Sequence, residues 1–178
     1  MDNQPAIEDR MKQIRLLVLD VDGVLTDGGI YMGPDGEAMK RFDIKDGLGI
    51  ALWHRSGGMT AILTGRSSKI VENRAKELHI SVVRQGCIDK RKAYKELKDE
   101  LKISDEEIAY IGDDIIDLPV MKQVGLPVAV ADAVPEVQDA ASLVVKHKGG
   151  RGAVRETVER ILRAQNRFEE AAALYLSS

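Results

Sequence analysis

The chain has 178 residues, with 26 Lys and Arg against 29 Asp and Glu for a net charge of −3, the size of one ordinary domain taken here as residues 1–178. Two Phe, one Trp and four Tyr leave little surface for stacking on unpaired bases, and the balanced charge gives no steering toward polyanions, so no nucleic-acid partner is expected. Cys87 stands alone, which excludes an intrachain disulfide; no apolar run approaches the ~18 residues that span a bilayer, and Met1–Gln13 lacks the apolar stretch of a secretion signal, so the expectation is a cytoplasmic protein without a membrane partner.

Apolar runs of strand length alternate with stretches of helical period, the pattern of a doubly wound, mainly parallel α/β sheet. The first strand is expected at Arg15–Val21, a short aliphatic run ending in acid. Gly29–Asp43 breaks the alternation: strand-like runs flank Pro34-Asp35-Gly36, a turn sequence, which predicts a protruding β-hairpin. A helix over Asp46–Arg55 packs Leu52 and Trp53, and a strand at Met59–Thr64 follows. Ser67–Leu78 places Ile70, Val71, Ala75 and Leu78 on one helical face. A strand at Ile80–Arg84, a helix carrying Tyr94, Leu97 and Leu101, and a strand at Ile108–Gly112 come next. Ser104-Asp-Glu-Glu has the spacing of a capping box or a tight turn. Beyond a helix starting near Ile115, strands are expected at Val128–Ala131 and, more weakly, Ser142–Val145. From Arg151 onward, Val154, Val158, Ile161, Leu162, Phe168, Ala172 and Tyr175 predict one long amphipathic helix, fraying past Gln165.

Four groups of residues can carry chemistry. Asp20-Val-Asp22-Gly23 directly follows the first strand, and ligand sites of doubly wound sheets lie at the carboxyl ends of strands. A calcium loop is excluded, because its third ligand position would be Val24 and its turn glycine Leu25. A capped turn accounts equally well for this motif taken alone. Gly112-Asp113-Asp114, with Asp117, ends another aliphatic strand; one carboxylate suffices to cap a helix, and carboxylates crowded at one sheet edge need a cation, for which hard oxygen ligands at a phosphate site indicate Mg²⁺. Thr64-Gly65-Arg66-Ser67-Ser68 offers donors to an anion at a strand end, or simply a helix cap. Lys90 lies near a helix start, where the macrodipole disfavours a cation, so it asks for an anionic partner unless it is a solvated member of Lys90-Arg91-Lys92. His54, His79 and His147 show no metal-ligand spacing.

In this chain order, D-V-D-G-V-L-T-D-G, the hairpin, D-G-L-G-I near Asp46, T-G-R-S-S, Q-G-x-x-D-K, G-D-D-x-x-D-L-P and G-G-x-G-A-V-R-E resemble the 3-deoxy-D-manno-octulosonate 8-phosphate phosphatases, capless members of the haloacid dehalogenase-like superfamily. The resemblance covers nearly the whole chain. It implies a Rossmann-like haloacid dehalogenase fold, a sugar acid phosphate as substrate, and an aspartyl-phosphate intermediate in lipopolysaccharide synthesis. Asp20 would be nucleophile, Asp22 acid and base, and Thr64 and Lys90 partners of the phosphoryl group. Mg²⁺ would be held by the carboxylates of Asp20 and Asp113 and the carbonyl of Asp22. Gly65 and Arg66 would line the substrate, and a mobile Gly149–Gly152 loop at the head of the tail, 149–178, would bring Arg151 or Arg155 toward it. The 44 positions from Asp20 to Thr64 and the 26 from Thr64 to Lys90 leave no room for a cap domain. The similar phosphatases are homotetramers whose hairpins associate, which implies the same role for Gly29–Asp43. Two alternatives remain: a phosphatase for a nine-carbon sugar acid 9-phosphate, and a catalytically silent phosphosugar-binding or assembly module.

Overall fold

In a computed structural model, residues 4–176 are described. Met1–Asn3 and Ser177–Ser178, the ends of the expected 1–178 unit, lie outside it. The sheet is parallel, with six strands: β1 (Leu16–Leu19), β4 (Met59–Leu63), β5 (Val82–Arg84), β6 (Ile108–Gly112), β7 (Leu126–Ala129) and β8 (Leu143–Val144). Every residue of β1, β6 and β7 is buried, because helices cover both faces; such strands read as continuous aliphatic runs rather than alternating ones.

The spatial order is β5-β4-β1-β6-β7-β8, with Leu19 opposite Ile62 on one side and Ile111 on the other. From β1 the chain steps outward to β4 and β5, then returns to the opposite side of β1 for β6, β7 and β8. This reversal opens a crevice at the carboxyl ends of β1 and β6, where doubly wound folds bind ligands. The hairpin is β2 (Tyr31–Gly33) and β3 (Gly36–Met39), antiparallel across Pro34-Asp35 and closed at its base by a bridge between Thr26 and Phe42.

Around the sheet run α1 (Gln4–Gln13), α2 (Ile44–Arg55), α3 (Lys69–Glu77), α4 (Lys90–Leu101), α5 (Leu118–Met121), α6 (Pro135–Ala140), α7 (Ala153–Ala164) and α8 (Phe168–Leu176). One apolar cluster reaches from Met11 to Ala172. The N-terminal helix α1 was not indicated by periodicity, since few apolar residues mark it; it docks where the Gln165 side chain donates to the carbonyls of Met11 at 3.0 Å and Ile14 at 2.8 Å.

Two expectations are corrected. The single C-terminal helix is two, because Asn166 N–H donates to Arg163 O at 3.0 Å and Arg167 N–H to Leu162 O at 2.8 Å, a Schellman closure with Asn166 at φ 55°. Strand β7 begins at Leu126, earlier than expected, and includes Pro127, whose carbonyl accepts from Ser142 N–H at 2.9 Å.

Candidate active site

Beyond β1 the chain coils tightly. Val21 O accepts from the N–H groups of Val24, Leu25 and Thr26 at 3.2, 2.9 and 3.0 Å, and the fully buried Thr26 hydroxyl accepts from Gly23 and Gly28 N–H at 3.3 and 3.2 Å. Gly23 adopts φ +87°, and a Cβ there would lie 2.0 Å from Asp113 Oδ2, so glycine alone lets this loop pass the end of β6. Asp20 is thereby buried at the strand end, with Asp22 two residues on at the edge of solvent.

Lys90 supplies the opposing charge. It is the first residue of α4, capped by Asp89 accepting from Lys92 N–H at 3.1 Å, and its side chain is buried. Its ammonium lies 3.0 Å from Asp20 Oδ1 and 2.7 Å from Asp117 Oδ1, and donates to the Tyr110 hydroxyl at 3.1 Å. The anionic partner that its position demanded is therefore a pair of carboxylates. Asp117 has no lone pair to spare: Oδ1 accepts from Lys90 and from Tyr110 at 2.6 Å, and Oδ2 from the N–H groups of Asp113 and Asp114 at 2.9 and 3.2 Å. Asp114 caps the short turn leading to α5, accepting from Ile115 N–H at 2.7 Å.

Asp20, Asp22, Thr64, Gly65, Arg66 and Asp113 line one cavity of about 150 Å³, beside Asp114 and Ile116. Thr64 is fixed by its N–H to Arg84 O and its carbonyl to Cys87 N–H, both 3.0 Å. Arg66 is half exposed, with Nε 3.8 Å from Asp22 Oδ2. A larger hollow of about 480 Å³ between α1 and α7 holds no comparable cluster; convergence of groups, not volume, marks the site. Arg151 does not line the cavity: its guanidinium lies 3.8 Å from Asp27, and Arg155 pairs with Glu159 at 2.5 Å.

The Gly149–Gly152 loop is also held. Gly150 N–H donates to Val24 O at 2.8 Å, Gly149 N–H to Asp132 at 2.9 Å, and the buried Asp46 carboxylate accepts from Gly152 and Arg155 N–H at 3.1 and 2.9 Å. A Cβ on Gly149 would stand 1.7 Å from Gly23 O, so these glycines serve close packing on the Asp20 loop. Sequence reasoning missed Tyr110, Lys40, Glu37 and the anchoring by Asp46. Tyr110 reads as one more apolar strand residue, and nothing local distinguishes Lys40 from its neighbour Arg41.

Burial raises the Asp20 carboxyl to about 6, with Lys90 opposing, and raises Asp113 to about 8, with the charges of Asp20, Asp117 and Asp114 adding to the effect. Lys90 is penalised by burial, yet Asp20 and Asp117 more than offset this and hold its ammonium above the usual range. Among the described residues, Asp20, Asp113 and Asp117 form a set whose ligand atoms lie within 4.8 Å of one another, and Asp113 Oδ1 is buried without a hydrogen-bond partner. With Asp117 saturated, Asp20 and Asp113 fit a hard divalent cation that would offset their crowding.

Residues 75–156 match the model of a haloacid dehalogenase-like hydrolase family. A 3-deoxy-D-manno-octulosonate 8-phosphate phosphatase of Yersinia pestis is 52% identical over 93% of this chain and 88% of its own length, and a crystal structure of a Yersinia pestis phosphatase of that name superposes with TM-score 0.90, at 51% identity over 92% of this chain and 89% of that one. The phosphatase of Moraxella catarrhalis, solved with magnesium, phosphate and the sugar acid, is 40% identical over 97% of this chain and 99% of that one, with TM-score 0.93. With its carboxylates gathered at the switch point of a capless doubly wound sheet, the chain belongs to the 3-deoxy-D-manno-octulosonate 8-phosphate phosphatase family of haloacid dehalogenase-like hydrolases.

Proposed function

We propose that this protein hydrolyses 3-deoxy-D-manno-octulosonate 8-phosphate to the free sugar acid and phosphate, in lipopolysaccharide biosynthesis and in the cytoplasm, with Mg²⁺ as cofactor. The observation that carries the reading is the convergence of Asp20, Asp22, Thr64 and Asp113 on one small cavity, with the Lys90 ammonium 3.0 Å from Asp20. A binding module has no use for Asp22 beside a buried, cation-backed Asp20. The nine-carbon alternative uses the same groups and differs in what reads the sugar.

Asp20 attacks phosphorus, forming an aspartyl phosphate while the ester P–O bond breaks. Asp22 protonates the departing sugar oxygen, then takes a proton from the water that releases phosphate. Thr64 donates to a phosphoryl oxygen, and Lys90 holds Asp20 in place and offsets the charge of the transferring group. The carboxylates of Asp20 and Asp113, with the backbone carbonyl of Asp22, would hold Mg²⁺, which when bound would neutralise phosphoryl charge. Cavities that enclose whole ligands run to about 300–1,000 Å³, so one of about 150 Å³, half the lower end of that range, encloses the phosphoryl group and leaves the sugar to the rim, where Arg66 offers a planar fork to its carboxylate. Arg151 lies outside the cavity of its own chain, and its assignment to substrate rests on resemblance.

The sugar's exposure calls for a cover, and we extend the proposal to a homotetramer joined through the hairpin, where Met32 is 66% and Met39 58% exposed beside Ile30 and Tyr31. Phosphate release by Asp20→Asn tests the nucleophile: a loss on the order of 10⁶-fold, the scale seen when a serine nucleophile is removed, is expected with sugar acid binding retained. Release at the wild-type rate would refute the scheme.

A further inference from the structure

We propose that Lys40, the residue after β3, is a positioning residue that fixes which oxygen of Asp22 delivers the proton; this rests on the reading of Asp22 as the acid. Although the hairpin is exposed, the Lys40 side chain is wholly shielded from solvent. Its ammonium lies 2.5 Å from Asp22 Oδ1 and 2.7 Å from Glu37 Oε1. Glu37 is tied in turn by its other oxygen, which accepts from the Ser68 hydroxyl, and Ser68 N–H donates to the Gln85 side chain at 2.8 Å. A buried lysine needs such pairing, and here the pairing joins the hairpin, the Asp20 loop and the start of α3.

The consequence lies in the two oxygens of Asp22. Oδ1 is engaged by Lys40, whereas Oδ2 has the Arg66 Nε at 3.8 Å, beyond hydrogen-bond distance. An untethered carboxylate can rotate and present either oxygen; an ammonium fixed by a second carboxylate removes that freedom, and catalytic groups need placement within about 0.5 Å. Oδ2 therefore carries the proton to the leaving oxygen as the P–O bond breaks and the Asp20–P bond forms. A merely structural latch would matter equally for every ester. A positioning residue for the acid matters where the leaving group needs a proton, as a sugar alkoxide does and p-nitrophenolate does not.

The test compares kcat/KM for the sugar acid phosphate with that for p-nitrophenyl phosphate in folded wild type, Asp22→Ala, Lys40→Met, Lys40→Gln and Lys40→Arg. Because kcat/KM ends at formation of the aspartyl phosphate, the later water step does not enter. The ratio of sugar to aryl ester is expected to fall about 100-fold in Asp22→Ala, within the range of general acid catalysis, and about tenfold or more in Lys40→Met. Lys40→Gln, too short to bridge Asp22 and Glu37, should show the same selective loss, and Lys40→Arg, which keeps a cationic donor, should recover most of the ratio. A fall in Asp22→Ala with no fall in Lys40→Met or Lys40→Gln would overturn the role of Lys40. An unchanged ratio in Asp22→Ala would remove the acid itself, and the proposal with it.

Discussion

Asp117 shows how one carboxylate sets the posture of a site without facing the cavity. It accepts from Lys90, Tyr110 and two backbone N–H groups while fully buried, so Asp117→Asn leaves the Lys90 ammonium with Asp20 as its one remaining carboxylate partner and turns an amide toward existing donors. Removing one partner of a buried pair costs about 3–5 kcal/mol, and denaturant unfolding should show a loss of that order. Asp105 makes a different prediction. Burial pushes its carboxyl up, but the Lys98 ammonium and the Tyr94 hydroxyl pull it down further, to a net value below 3.8. A carboxyl depressed on folding stabilises above its unfolded value of about 3.9, and that contribution disappears as pH falls through the folded value. The stability gap between wild type and Asp105→Asn should shrink on acidification from pH 5 to 2; a gap independent of pH would contradict the assignment. Asp20, Asp22, Asp113 and Lys90 were legible because their motifs fall together at strand ends and a helix start in one chain order, although each motif alone also reads as a capped turn, a helix cap or a solvated lysine. Tyr110 and Lys40 were not, because their roles arise from partners 7 and 18 positions away in sequence.

At the scale of elements, the parallel sheet was legible since strands buried on both faces are written as aliphatic runs. The break between α7 and α8 was not. Val154 to Tyr175 keeps helical period across it, and the residue in the left-handed region is Asn166, whose polar side chain tolerates that geometry, rather than an overt glycine. Asn166→Val should destabilise by about 1–2 kcal/mol, the usual penalty for this conformation, whereas Asn166→Gly should not. Denaturation midpoints at constant m-value decide this, and equal stability of the two variants would mean that the turn is not closed as described. The resemblance implies a mobile Gly149–Gly152 loop; in three dimensions its missing side chains also permit close contact with the Asp20 loop. Composition alone does not separate those two uses.

At the scale of the molecule, the proposed tetramer links the small cavity to the hairpin that exposes Met32 and Met39: assembly would cover the sugar that the cavity leaves open. Met32→Asp places charge on that face and should shift light-scattering mass from tetramer toward monomer; an unchanged tetramer would exclude the face around Met32 from the interface. The proposed function stands on the identity of the ester and its dependence on metal. Phosphate release from the eight-carbon and nine-carbon sugar acid phosphates, measured side by side with Mg²⁺ and with chelator, tests it most directly. Clear preference for the eight-carbon ester is expected, abolished by chelator and by Asp20→Asn. Preference for the nine-carbon ester, or release that persists in chelator, would contradict it.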